Sequence, residues 1–195
     1  MNFLAAYSLW WRELIRFFRQ PTRVLSAVAT PLVFWLLIGT GLSSSFKLPG
    51  GGSELSYLEF FFPGTLILVV LFASIFSTIS VIEDRQEGFL QGALVAPVSR
   101  WALVLGKVAG GSTLAVLQGA SFLLLAPLTG IQLSWSSAGA AIGVLALLAF
   151  GLTSVGFGFA WKVDSTQGFH AVMNVLFMPM WLLSGAFFPQ AGAPR

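Results

Sequence analysis

Apolar residues fill this chain in long blocks that charge interrupts at only a few places. Charge-free stretches of 23 residues occupy 24–46 and 60–82, one of 54 occupies 108–161, and another occupies 165–194. A spanning helix takes about 20 mostly apolar residues, because each rises about 1.5 Å across a hydrocarbon core of about 30 Å. The 54-residue stretch is therefore two helices joined by a hairpin. Pro127, Gly130 and the polar run Ser134, Ser136 and Ser137 put the break between them. The pattern predicts five spans, at about 24–46, 60–82, 105–126, 138–160 and 169–188.

Two further segments have helical periodicity without being spans. In 2–20, Phe3, Tyr7, Trp10, Trp11, Leu14, Phe17 and Phe18 recur at three- and four-residue steps and form one stripe. Arg12, Arg16 and Arg19 share another face, and Pro21 stops the helix. Aromatic groups on one side and Arg on the other suit a helix lying in the headgroup layer. In 83–100, Phe89 pairs with Ala93 and Leu90 with Leu94 on a short helix that Pro97 ends. Glu83, Asp84, Arg85 and Glu87 crowd its entry, where acids are favoured. A plain loop needs no apolar stripe. This one must be buried in lipid headgroups, in the rest of the chain or in a partner.

Composition supports the same class. Charged residues make up 9% of the 195, against roughly a quarter in a soluble domain, and 19 Phe and 7 Trp exclude disorder. The chain is read as an all-α membrane protein. Basic residues then report orientation, since they collect on the cytoplasmic side. With the N-terminus inside, Arg12, Arg16, Arg19, Arg23, Arg85, Arg100, Lys107 and Lys162 lie inside, and only Lys47 and Arg195 outside. That predicts a multi-pass protein of the cytoplasmic (inner) membrane. The first span is not read as a signal peptide despite the small residues at 41–45, because 23 residues precede it.

Candidate chemistry narrows the function by what it lacks. With no Cys and a single His, no thiolate or multi-His metal site is expected. Gly106-Lys107 fails the phosphate-loop pattern, since Trp101 and Val108 stand where Gly and Ser or Thr belong. Lys107 is read instead as a snorkelling anchor, and neither an ATP site nor another cofactor is expected. Asp, Glu, Lys and Arg are missing from the long apolar runs, which counts against ion-coupled transport and membrane enzymology. The polar groups that remain are amides, hydroxyls and His170. Of these, Gln118, His170 and Asn174 are candidates for a translocation path. Gly106 with Gly110, and Gly139 with Gly143, are read as sites of close helix approach.

Three blocks then resemble the permease subunit of ABC-2 type transporters, the branch that includes bacterial drug-resistance and lipo-oligosaccharide exporters. They are Phe61-Phe62-Pro63-Gly64; the stretch from Asp84 through Gly88, Phe89 and Leu90 to Leu94, Pro97, Arg100 and Lys107; and Ser184-Gly185-Ala186-Phe187-Phe188-Pro189. Gln91-Gly92 departs from the charges often found there. The resemblance implies a six-span permease that dimerises, with itself or with a second permease, and recruits a separate ABC ATPase. The stretch 83–100 becomes a coupling helix seated on that ATPase through Glu83, Asp84, Arg85, Glu87, Gly88, Phe89, Leu90, Ala93, Leu94, Pro97 and Arg100. Besides the ATPase and the bilayer no nucleic acid is expected as a partner. The family pattern continues into a sixth span, so this chain is expected to lack the last one. The implied function is export of a hydrophobic, drug-like or lipid-linked substrate. The competing reading is an ion-gradient carrier whose 83–100 segment is only a surface helix.

Overall fold

The computed structural model describes residues 2–43, 57–131 and 133–185, and every regular element among them is helical. α1 is Asn2–Phe18, α2 Pro21–Ser43 and α3 Tyr57–Ser77. α4 is Ile79–Gln86, α5 Phe89–Val95 and α6 Arg100–Leu123. After a 3-10 turn at Ala126–Thr129 come α7, Trp135–Lys162, and α8, Thr166–Leu183. The chain is an all-α membrane protein. Three stretches, Tyr57–Gln86, Arg100–Thr129 and Trp135–Lys162, are long and apolar enough to cross a bilayer by length and composition. α2 contributes the shorter apolar stretch Pro31–Gly41.

Serine side chains set the helix starts. Ser99, Ser134 and Ser165 are extended, and each accepts from the backbone N–H three residues on, satisfying a donor that the first turn leaves orphaned. The predicted hairpin break lies where Pro127 and Gly130 put it, with Gly130 at φ 93° ending the 3-10 turn. Ser134 is a cap rather than a loop residue, so α7 begins three residues before the predicted 138. The largest departure is in the second span. α3 runs almost directly into α4, because Thr78 keeps helical dihedrals of −76° and −10°. The hydroxyls of Ser77 and Thr78 donate back to Ser74 O (2.7 Å) and Ile75 O (2.6 Å), the kind of back-bond that bends a helix without ending it. Glu83, Asp84 and Arg85 therefore ride on the end of this long helix. They are not the entry to the coupling helix.

α6 is the centre of the bundle, with α1, α3 and α7 packed around it and α2 against α3. Small residues allow the close approach. A Cβ on Gly106 would meet Ala6 O at 2.7 Å, and one on Gly110 would meet Glu13 Cβ at 2.8 Å. Gly139 and Gly143 do not behave as expected, since a Cβ on either meets nothing within 4 Å. They lie on the open side of α7, which has no neighbour there among the described residues. Aromatic groups fill the other end of the core. Trp35 meets Phe62 and Phe122 edge-on, those two rings stack at 5.1 Å, and Trp181 Nε1 donates to Gly64 O at 2.9 Å. Phe61 and Phe62 are thus core residues. Of the third block only Ser184 and Gly185 fall within the described residues.

Candidate functional site

The end of α4 gathers the charges that sequence patterns had spread over three segments. Asp84 is fully buried. Arg12 of α1 donates to both its oxygens at 2.8 Å, Arg16 adds a bond at 3.0 Å, and Lys107 of α6 completes the set. Lys107 also donates to Glu13 at 2.5 Å and to Ser80 at 3.3 Å, while Arg16 reaches Glu83 at 2.8 Å. A carboxylate out of water is tolerated only when opposite charges and hydrogen bonds replace its hydration. Here three cations do so. The hydrogen bonds to Asp84 hold Arg12 above its ordinary pKa, against the opposing effect of its partial burial.

One expectation fails here. Lys107 does not snorkel, since its side chain is only 3% exposed and serves as an internal counter-ion. The basic face of α1 divides, with Arg19 exposed and the other two arginines engaged within the chain. Arg12 and Arg16 turn inward to the acids, Trp10 turns in to donate to Thr113 Oγ1 at 3.0 Å, and Leu14 is buried. Phe3, Tyr7, Trp11 and Phe18 stay exposed as the outer stripe. Glu13 was missed altogether. Its signal was a lone acid in an otherwise basic helix, flanked by aromatic positions.

Arg85, next to Asp84, reaches the opposite way. Its guanidinium donates to Trp161 O at 2.7 Å and to Val163 O, and pairs with Asp164 at 3.2 Å, while Gln86 donates to Asp164 O at 2.8 Å. These groups hold the turn between α7 and α8. Gly88 then breaks the chain direction at φ 77°, a region where a Cβ is strained. α5 follows, with the Phe89 ring under the Arg12 guanidinium at 3.8 Å.

The stripe on α5 divides between inside and outside. Leu90 is 5% exposed and buried against its own chain, so it is not free to enter a partner. Ala93 is half-buried. Phe89, Leu94 and above all Val95, at 87%, are open to the outside. Glu87, Pro97 and Arg100 are exposed and Gly88 half-buried. Beneath α5 a groove of about 570 Å³ is lined by Leu90, Leu94, Leu103, Phe157 and Trp161.

The path residues also separate. Gln118 and His170 line one cavity of about 500 Å³ whose wall is largely apolar, with Phe34, Phe72, Phe76 and Met178. The His170 ring rests on Phe76 with centroids 4.7 Å apart. Asn174, one turn further along α8, is exposed and outside this cavity.

The sequence pattern of the family described as ABC-2 type transporter matches residues 5–194. "Putative transport permease ycf38" of Cyanophora paradoxa is 31% identical over 91% of this chain and 62% of its own length. Nodulation protein J of Rhizobium leguminosarum bv. trifolii is 29% identical over 85% of this chain and 63% of its own. The daunorubicin resistance ABC transporter permease protein DrrB1 of Streptomyces coeruleorubidus is 25% identical over 73% and 49%. The chain thus spans less than two thirds of the length of these curated relatives. No solved structure matches it.

Proposed function

The chain belongs to the ABC-2 type transporter family, and from that membership we propose that it is the permease subunit of an ATP-binding cassette exporter. In this reading five spans, at about 24–46, 60–82, 105–126, 138–160 and 169–188, carry the chain across the inner membrane with the N-terminus inside. It pairs with a second copy or a second permease. A separate ABC ATPase supplies hydrolysis. The substrate is hydrophobic, drug-like or lipid-linked, which the cavity of Phe34, Phe72 and Phe76 supports and the name of the daunorubicin-resistance relative agrees with. Gln118 and His170 belong to the path. Asn174 is left for a helix contact.

The observation that carries the reading is the outer face of α5. Val95, Leu94 and Phe89 expose apolar surface on a short helix that follows the charged end of a span. Water is a poor neighbour for such a face, and a groove on an ATPase is a good one. A charge placed there must be desolvated on docking, at a cost of several kcal/mol. Each ~1.4 kcal/mol is tenfold in affinity, so Val95→Asp should weaken association with the ATPase at least about a hundredfold. Insertion and membrane level should hold, because the side chain packs against little of its own chain. The check is co-purification from detergent with the ABC ATPase encoded in the same gene neighbourhood. Undiminished association of Val95→Asp would sink the docking assignment.

A further inference from the structure

Asp84 and Arg85 were expected to touch the ATPase, yet both turn away from the outer face of α5. They turn in opposite directions. Asp84 faces α1 and α6 through Arg12, Arg16 and Lys107. Arg85 faces the turn after α7, where it donates to two main-chain oxygens, those of Trp161 and Val163. The planar guanidinium suits that task, since its donors are fixed in a fork that grips two acceptors at once. Gln86 adds a third bond to the same turn, to Asp164 O at 2.8 Å.

The position of this pair in the chain gives the geometry its meaning. Three residues after Arg85 stands Gly88, at φ 77°, and α5 begins directly behind it. A displacement of α5 is therefore delivered first to the last turn of α4. From there one branch runs through Asp84 to α1 and to the central helix α6. The other runs through Arg85 to the start of α8, the helix that brings His170 to the cavity. A second link reinforces the first branch, because Arg12 lies over Phe89 of α5 at 3.8 Å while holding Asp84.

We propose that Asp84 and Arg85 are positioning residues that divide the movement of α5 into two branches, Asp84 carrying it to α1 and α6 and Arg85 to the α7–α8 turn. The proposal rests on α5 docking an ATPase, as put forward above. It reassigns two residues from the docking surface to the transmission behind it.

The test exploits the absence of Cys from the sequence. Gln167→Cys reports the α7–α8 branch and Ser8→Cys reports α1; both positions are exposed. Alkylation by a maleimide is timed in membranes holding the chain and its ATPase, without nucleotide and with ATP plus vanadate. In the otherwise unaltered protein nucleotide should change both rates, by at least about fivefold, the lower end of ordinary coupling between sites. Arg85→Ala should abolish the response at Gln167→Cys and leave that at Ser8→Cys, and Arg85→Lys should restore part of it. Asp84→Asn strands buried cations and threatens folding, so the other branch is read with Arg12→Gln, whose side chain is 32% exposed. There the losses should reverse. A merely structural role would dull both probes together, and that result, or an unchanged response in Arg85→Ala, overturns the proposal. If the unaltered protein binds no ATPase, or neither probe responds to nucleotide, the docking reading itself fails and this one falls with it.

Discussion

A single lysine shows how strongly position governs the meaning of a charge in this chain. Lys107 stands at the edge of a long apolar run, where a flexible stem normally lifts the ammonium to the interface. Instead it is held between Glu13 and Asp84. Removing one partner of a buried ion pair leaves an uncompensated charge and costs about 3–5 kcal/mol, while removing both costs much less. Lys107→Met should therefore lower the melting temperature in detergent markedly. Adding Glu13→Gln should recover part of the loss, and Arg100→Ala, at an exposed position, should have little effect. Simple addition of the two single effects would show that the pair is not coupled. None of these pairings is visible to periodicity. Glu13 and Lys107 lie 94 positions apart, and a stripe pattern registers only what recurs within a few turns. The chemical importance of Asp84 and Arg85 was legible in the sequence but their contacts within the chain were not, because the apolar pattern ends the span at 82 while the helix runs on to Gln86.

Elements were more legible than contacts. The hairpin near Pro127 and Gly130, the stop of α1 before Pro21 and the short helix before Pro97 all follow from local chemistry that acts within a few residues. What local chemistry leaves open is which face of each helix turns inward. Arg12 and Arg16 made a regular basic face, and their direction was set by acids on α4 that fold back much later. The glycines show the same ambiguity. Gly106-Gly110 and Gly139-Gly143 have identical spacing, yet among the described residues only the first pair lies under another helix. Gly106→Ala drives a Cβ to within 2.7 Å of the backbone oxygen of Ala6, so it should cost about 1–3 kcal/mol and loosen α1 from α6. Gly143→Ala meets open space and should be neutral or gain up to about 1 kcal/mol from helix propensity. Thermal unfolding of both variants in one detergent makes the comparison. Equal effects would mean that α1 does not pack on Gly106. At the joint before α5, Gly88→Ala also meets no neighbour, so its cost is backbone strain alone, about 1–2 kcal/mol. It should shift α5 without unfolding the bundle, read as faster protease cleavage between α4 and α5.

At the scale of the whole molecule, α6 ties α1, α3 and α7 into one bundle, while the outer sides of α7 and α8 are apolar and, among the described residues, uncovered. Lipid or further protein covers such faces in a membrane. The only long-range charge cluster among the described residues lies at the α4 end, beside the one short helix that offers apolar side chains away from the spans. This arrangement unites orientation, docking and transmission in one claim: that the face of α5 looks into the cytoplasm and is covered by an ATPase. Val95→Cys measures it directly, because the side chain is 87% exposed and the sequence holds no other Cys. The measurement is the rate of labelling by a membrane-impermeant maleimide in inside-out and right-side-out vesicles, with and without the ABC ATPase. The account predicts rapid labelling in inside-out vesicles alone, slowed at least about tenfold when the ATPase is bound, as a buried face requires. Labelling from the right-side-out face, or a rate indifferent to the ATPase, would contradict it.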